Sequence, residues 1–322
     1  MSSSTPSRSQ APEAVLRRLE WTVIRRLDGV LHGDYRTLFR GYGLDLADLR
    51  EYVYGDDVRH IDWNVTARLQ TPYVREYNEE REVAAYFLLD LSPSVAFGSE
   101  QREKRAVATG FVAVLARILT RHGNRVGALC YGSSVDTVIP PRSGRLQVLH
   151  LMHRMATRPE VAQAPATDLS DLLRTAYHVV PRRSLMFLVS DFISVAGWAQ
   201  PLAHLAQRHD VVAVRLYDPM EMALPDLGLL VIQDAETGEQ VFVDTHDRGF
   251  RRRFEAAAEA REKELRAAFV AAGVDALELS TRDDLVDAIL RFADLRKRRS
   301  LLATGGGLPP HLSGPLPAAT RA

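Results

Sequence analysis

Three apolar runs that each end in aspartate constrain the fold more than any other feature of this sequence. They read "FLLD", "LMFLVSD" and "VVAVRLYD", and they close at Asp90, Asp191 and Asp218. Continuously apolar runs are typical of strands that are buried on both faces of a sheet. Helical patterns alternate with these strands, which predicts parallel strands joined by helical crossovers. The expected fold class is α/β, with a doubly wound, mostly parallel sheet of Rossmann type.

The alternation of patterns gives explicit bounds for the elements of this domain. Strands are predicted at Val83–Asp90, Arg125–Tyr131, Val135–Pro140, Ser184–Asp191, Val211–Leu216 and Val274–Leu279. Helices are predicted at Glu103–Thr120, Leu146–Met155, Asp168–Tyr177, Gln200–Gln207, Arg251–Ala272 and Arg282–Arg298. The stretch "LLVIQDAETGEQVFVD" predicts a further hairpin, because Thr-Gly separates two alternating runs.

Composition shifts divide the chain into four parts. Residues 1–12 are polar and are expected to be disordered, as is the Gly- and Pro-rich tail at 301–322. Residues 13–82 begin with a helical pattern at Glu13–Leu31 and continue as an irregular, charge-rich extension of helix and short strands. Residues 83–300 form the α/β domain.

The overall charge excludes several classes of partner. The chain has 41 basic and 41 acidic side chains, so nothing draws it as a whole to nucleic acid or to an anionic membrane. No apolar stretch reaches the ~20 residues of a membrane span, and the N-terminus has no apolar signal segment. Cys130 is the single cysteine, which suits a reducing compartment. We therefore expect a cytoplasmic protein with no membrane span and no nucleic-acid partner.

Oxygen-bearing side chains gather where the predicted strands end. Ligands of open α/β sheets bind at the carboxyl ends of the strands. Asp90, Ser92 and Ser94 follow one strand at every second position, so they can face one point in an extended loop. Asp191 closes another strand, and Thr167 opens a helix at the same edge. Such hard oxygen donors suit Mg²⁺. The alternative for Thr167, and equally for Ser170, is an ordinary helix N-cap.

This set of residues resembles the metal-ion-dependent adhesion site (MIDAS) of von Willebrand factor type A (VWA) domains. The resemblance spans roughly residues 83–295 and implies a metal site formed by Asp90, Ser92, Ser94, Thr167 and Asp191. It also implies that the metal is Mg²⁺ and that an acidic side chain of a partner completes its coordination. Phe192 stands where that family often has glycine.

The upstream stretch "GDDVRHIDWNVTARLQTPYVREYNEERE" resembles the hallmark of the domain-of-unknown-function 58 (DUF58) proteins. The matching residues are Arg50, Tyr52, Gly55, Asp56, Arg59, Ile61, Asp62, Trp63, Ala67, Arg68, Val74, Arg75, Glu76 and Glu80. Genes of this family commonly lie beside those for MoxR-type AAA+ ATPases, which implies such an ATPase as partner. The charged segment Gly33–Glu82 has two interpretations. It either forms structural ion pairs, with Asp56, Arg59, Asp62 and Trp63 acting mainly in folding, or presents a docking surface.

The functional expectation is a non-enzymatic adaptor that uses its metal site to bind a client protein with an acidic residue. The chain has no phosphate-binding loop of the G-x-x-x-x-G-K-[ST] kind and no G-x-S-x-G nucleophile elbow. The alternative is a metal-dependent hydrolase that uses the same oxygen cluster to activate water. Against the hydrolase, the sequence places no evident general base, such as histidine, beside the cluster.

Overall fold

Six strands form the central sheet of the protein, and helices cover both of its faces. The structure is a computed structural model that describes residues 12–24, 27, 48–53, 58, 61–76, 84–99, 102–157, 166–233 and 238–303. The expected disorder at both chain ends falls outside these residues, apart from Pro12 and the last turn of the C-terminal helix. Among the described helices, none has both the length and the hydrophobicity that crossing a bilayer requires.

The elements are numbered in chain order. The helices are α1 (Pro12–Leu19), α2 (Trp63–Leu69), α3 (Lys104–Arg121), α4 (Arg145–Thr157), α5 (Leu169–Val179), α6 (Ala199–Arg208), α7 (Arg248–Ala272) and α8 (Leu285–Ala303). The strands are β1 (Asp48–Glu51), β2 (Tyr73–Glu76), β3 (Ala84–Asp90), β4 (Arg125–Tyr131), β5 (Val135–Arg142), β6 (Leu185–Ser190), β7 (Asp210–Tyr217), β8 (Leu229–Gln233), β9 (Gln240–Asp244) and β10 (Asp275–Ser280).

The strand order of the central sheet is β10-β7-β6-β3-β4-β5. All neighbours pair in parallel except β4 and β5, which are antiparallel. The chain starts at β3 in the middle of the sheet, builds outward through β4 and β5, and then returns to the other side of β3 with β6. This is the doubly wound order, and its topological switch point lies between β3 and β6.

Side chains on the two faces of the sheet form two separate cores. Phe87 and Leu89 point into one core, which α1, α3, α4 and α8 complete, whereas Leu88 points into the other, which α5, α6 and α7 complete. In the first core the Phe87 and Phe187 rings stack with centroids 5.4 Å apart. Successive residues of β3 therefore serve opposite faces, which explains why the run is apolar throughout.

The predicted α/β class is confirmed, and the six sheet strands begin and end within two residues of their predicted bounds. The predicted hairpin is also confirmed, with β8 and β9 paired antiparallel. One difference concerns the N-terminal helix, predicted to run from Glu13 to Leu31. The α-helix ends at Leu19, and a π-helical turn, Glu20–Ile24, follows it. Residues 28–31 lie outside the described part of the chain.

The N-terminal extension contains a small antiparallel pair, β1 with β2, and the short helix α2. Asp62 is buried and precedes the first residue of α2. Its carboxylate accepts a hydrogen bond from the backbone N–H of Val65, 3.2 Å away, so Asp62 is the N-cap of this helix. Trp63, by contrast, is 69% exposed. The expectation of a folding role thus fits Asp62, whereas the exposure of Trp63 argues against such a role for its side chain. Gly55, Asp56, Arg59 and Glu80 lie outside the described residues.

We expect alanine substitutions of Asp62 and Trp63 to have different effects on the free energy of unfolding. Asp62→Ala removes the cap and should lower the free energy of unfolding by about 1–2 kcal/mol. Trp63→Ala removes an exposed ring and should change it by less than about 0.5 kcal/mol. Urea denaturation of both variants measures the difference. A greater loss in Trp63→Ala would show that the indole supports the fold.

Candidate functional site

Asp90 is the last residue of β3 and lies at the switch point of the sheet. It is 1% exposed. Its Oδ2 accepts a hydrogen bond from the Ser190 hydroxyl at 2.6 Å, and its Oδ1 accepts one from the Ser92 backbone N–H at 3.0 Å. Ser190 ends β6, the parallel neighbour of β3, so the sheet register itself brings the two side chains together. The carboxylate is thus fixed at the carboxyl edge, as predicted.

Ser92 and Ser94 come together directly after Asp90. Their hydroxyl oxygens are 3.1 Å apart and both residues are buried. The sequence predicted an extended loop here, but Pro93–Ala96 form a 3₁₀ turn. Proline suits the first position of such a turn, because its φ is already fixed near the helical value. The turn brings the two hydroxyls within hydrogen-bond distance of each other.

Asp191 lies at the same edge, immediately after β6, and its side chain is 1% exposed. Its Oδ1 accepts a hydrogen bond from the backbone N–H of Ile193 at 3.0 Å. Its Oδ2 accepts one from the ammonium group of Lys104 at 2.7 Å. Both carboxylate oxygens of Asp191 are therefore engaged by groups of the chain itself.

Lys104 is a residue of the candidate site that the sequence did not indicate. Its fully buried side chain also donates to Oε1 of Glu221 at 2.6 Å, so the ammonium lies between two carboxylates. Burial alone would lower the pKa of Lys104, but Asp191 and Glu221 raise it above its ordinary value. One signal was available: Lys104 begins α3, and a cation is unfavourable at a helix N-terminus unless acidic groups surround it.

The Asp90 carboxylate lies in a different electrostatic environment from that of Asp191. Burial raises the pKa of Asp90 to about 6, the Asp191 carboxylate adds to the rise, and the hydrogen bonds from Ser190 and Ser92 oppose it. Among the described residues, no basic side chain forms an ion pair with Asp90. At neutral pH the site therefore holds a buried carboxylate that a cation would stabilise.

Thr167 is buried in the loop that precedes α5. The N-cap of α5 is neither Thr167 nor Ser170 but Asp168, whose carboxylate accepts the Ser170 N–H at 2.8 Å. The backbone carbonyl of Thr167 accepts hydrogen bonds from the Ser194 hydroxyl and from the Val195 N–H, both at 2.9 Å. These bonds join the Thr167 loop to the loop that carries Asp191.

Asp218, which ends the third aspartate-terminated strand, has a different role. It is fully buried and accepts hydrogen bonds from the Ser99 N–H, the Ser99 hydroxyl, the Met220 N–H and the Thr281 hydroxyl. Its own N–H donates to Oε2 of Glu221, which completes a capping box. Asp218 therefore fixes the glutamate that Lys104 contacts.

Phe192, directly after Asp191, has a φ of +60°, in the left-handed region that favours glycine. A non-glycine residue there costs on the order of 1–2 kcal/mol. Its ring packs against those of Trp198 and Phe269, with centroids 5.4 and 4.9 Å away. Phe192 stands where the similar family often has glycine. The packing of its ring offsets the cost of this backbone conformation, which directs the Asp191 side chain toward Lys104.

The donor set fits a divalent cation on one side of the site. Asp90, Ser92 and Ser94 supply hard oxygens in a buried place with uncompensated negative charge. Among the described residues there is no cluster of three or more His, Cys, Asp or Glu side chains that could hold a metal. A cation here would therefore depend on the hydroxyl oxygens of Ser92 and Ser94 as well as on Asp90.

Known structures and sequences resemble this chain to different degrees. BatB from Bacteroides thetaiotaomicron has a TM-score of 0.44 at 14% identity, and the likeness covers 67% of this chain and 99% of that one. The VWA domain of SpRpn10 has a TM-score of 0.35 at 12% identity, covering 66% of this chain and 95% of that one.

The relationship in sequence is much closer. The uncharacterized protein Rv1480 of Mycobacterium tuberculosis is 36% identical over 288 residues, which is 89% of this chain and 90% of that protein. The model of the family described as "Protein of unknown function DUF58" matches residues 48–264. As its hallmark segment predicted, the chain belongs to the DUF58 family.

Proposed function

We propose that this protein is a non-enzymatic protein-binding module that holds Mg²⁺ at the switch point of its sheet. The observation that carries the proposal is Asp90, a buried carboxylate with no counter-ion among the described residues, beside the paired hydroxyls of Ser92 and Ser94. Each oxygen of the Asp90 carboxylate accepts a hydrogen bond, but a buried charge is normally also paired with a cation or a metal ion. A charge left uncompensated at a ligand-binding edge is better explained by a ligand.

Each residue has a distinct task in this proposal. Asp90 supplies the negative charge, and Ser190 and the Ser92 N–H hold its carboxylate in place. Ser92, Ser94 and Thr167 supply neutral oxygens, and Asp191 lies beside them. When bound, Mg²⁺ would supply an electrophilic centre that attracts an acidic side chain of a partner. Neutral hydroxyl ligands preserve that attraction, because they do not cancel the charge of the ion.

The partner we propose is a client protein with an exposed Asp or Glu, acted on together with a MoxR-type AAA+ ATPase. The resemblance of the hallmark segment supports the ATPase, and the chain's own lack of a phosphate-binding loop agrees with it. In this arrangement ATP hydrolysis belongs to the ATPase, and the present chain selects the client. Remodelling or assembly of the client is then the shared outcome.

We propose further that the chain alone catalyses no reaction. The imidazole of His209 lies just before β7, at the opposite edge of the sheet from Asp90, and it is buried. His209 therefore cannot serve as a general base for water at the Asp90 site. Hydrolysis of nucleotides, phosphoesters or peptides by the purified chain with Mg²⁺ or Mn²⁺, lost in Asp191→Ala, would contradict the binding-module proposal.

The decisive experiment is an affinity pull-down from native cell extract with wild type and Asp90→Asn. We expect wild type to retain its partners in Mg²⁺ and to lose them in EDTA, and Asp90→Asn to retain none in either condition. Mg²⁺ should also raise the melting temperature of wild type and leave that of Asp90→Asn unchanged, because only wild type offers the charge that binds the ion.

Asp294→Asn is the matched control, since it removes a carboxylate from the exposed face of α8. It should behave as wild type in both assays. Equal partner recovery by folded Asp90→Asn and wild type would show that the metal-site proposal is wrong.

A further inference from the structure

Lys104 places a permanent positive charge inside the candidate metal site. Its ammonium contacts Asp191 at 2.7 Å and Glu221 at 2.6 Å, and its side chain has no exposed surface. The chain is otherwise arginine-rich, since Lys104, Lys263 and Lys297 are the only lysines among 41 basic residues. A compact point charge that fits between two carboxylates is what lysine offers and arginine does not.

The surroundings of Lys104 hold it in this position. Glu221 is fixed by the capping box of Asp218, so the acceptor on that side cannot turn away freely. Asp191 is fixed by the Ile193 N–H and by the packed Phe192 turn. Because the ammonium is buried, it cannot reach the acidic residue of a partner. Its effect must pass through Asp191 and through its field on the neighbouring cation site.

We propose that the Lys104 ammonium replaces a metal ion at Asp191, so that a divalent cation is held on the Asp90, Ser92 and Ser94 side and only with moderate affinity. This inference rests on the proposed function and specifies how the site binds its ion. Lys104 cancels the attraction of Asp191 for a cation and repels the ion itself. Lys104 is thus a positioning residue that limits how much metal the site binds before a partner carboxylate arrives.

The test measures Mn²⁺ binding to the purified full-length chain by isothermal titration calorimetry. This measurement does not depend on any catalytic or partner-binding activity of the protein. Lys104→Met should bind Mn²⁺ at least about tenfold more tightly than wild type, because the cation paired with Asp191 is removed and that carboxylate becomes free to attract the ion. The double variant Lys104→Met with Asp191→Asn should lose that gain, because Asp191 is the group that Lys104 releases. Asp191→Asn alone should still bind Mn²⁺ detectably, whereas Asp90→Asn should not.

The outcomes separate this inference from the proposed function. Folded Lys104→Met with the affinity of wild type overturns the inference and leaves the Asp90 site standing. Mn²⁺ binding by Lys104→Met but not by wild type overturns the inference as stated, because wild type then holds no cation on the Asp90 side, and it also removes the metal from the proposed function. Absence of binding in both overturns both.

A second comparison decides the matter if Lys104→Met does not fold. The inference then stands if Asp191→Asn binds Mn²⁺ while Asp90→Asn does not. It is overturned if the two substitutions abolish binding alike.

Discussion

Replacing Asp218 by alanine is expected to lower the free energy of unfolding by about 3–5 kcal/mol, because several buried donors lose their acceptor at once. These donors come from Ser99, Met220 and Thr281, which lie on three different segments at the carboxyl edge of the sheet. Urea denaturation at neutral pH measures the loss. Asp294→Ala, an exposed change on α8, should remain within about 0.5 kcal/mol of wild type.

The same contacts give Asp218 a pH signature. Burial alone would raise its pKa, but the hydrogen bonds from Ser99, Met220 and Thr281 lower it below the ordinary value of 3.8. A lowered pKa in the folded state means that its contribution is present above pH 3.8 and is lost as the pH falls below that value. Asp218→Asn should therefore be less stable than wild type at neutral pH and approach it in acid. A difference that does not change with pH would show that the charge of Asp218 is irrelevant.

The His209 contribution to the free energy of unfolding is expected to fall by roughly 3 kcal/mol as the pH falls from 6.5 to 4. Burial lowers the pKa of His209 to about 4, and Arg208 and Arg183 add to the effect. Neither ring nitrogen has a hydrogen-bond partner among the described residues. The unfolded chain therefore binds a proton in this window that the folded chain does not bind, so the contribution of His209 to stability decreases as the pH falls.

The substitution His209→Leu isolates this effect. Asp90 contributes in the opposite direction between pH 3.8 and 6, because its pKa is raised, and that contribution is common to both proteins. The difference in unfolding free energy between His209→Leu and wild type should therefore grow steadily toward acid. Two stability curves that stay parallel between pH 7 and pH 4 would show that His209 does not titrate in this way.

Much of the fold could be predicted from sequence because its signals are local. The run "LMFLVSD" is apolar over consecutive residues, and this local pattern is sufficient to predict a buried strand. The strand β6 ends at Ser190, one residue before the aspartate that closes the run. The pairing of Ser92 with Ser94 was also accessible, since only Pro93 separates them. The antiparallel direction of β5 was not predicted, because alternation of strands and helices says nothing about an edge strand reached by a short turn.

The residues missed at the site were missed because their partners are distant in sequence. Lys104 lies 87 residues from Asp191 and 117 from Glu221, and its ion pairs exist only once β3, β6 and β7 are side by side. Ser190 was overlooked because a serine before a strand-ending aspartate has no special pattern. Its role follows from the register that places it beside Asp90, 100 residues earlier in the chain.

The position of α1 and β10 has a consequence for how the protein can be divided. The family-defining segment, residues 48–264, stops short of both. Yet Leu16 and Leu27 are fully buried in the same core as Phe87, and β10 covers the outer edge of β7. A recombinant fragment limited to that segment would expose an apolar groove over α3 and α4 and leave β7 as an open, two-sided apolar edge. Such edges recruit strands from other molecules, so a fragment of this chain that stays folded and monomeric has to extend beyond residues 48–264 at both ends.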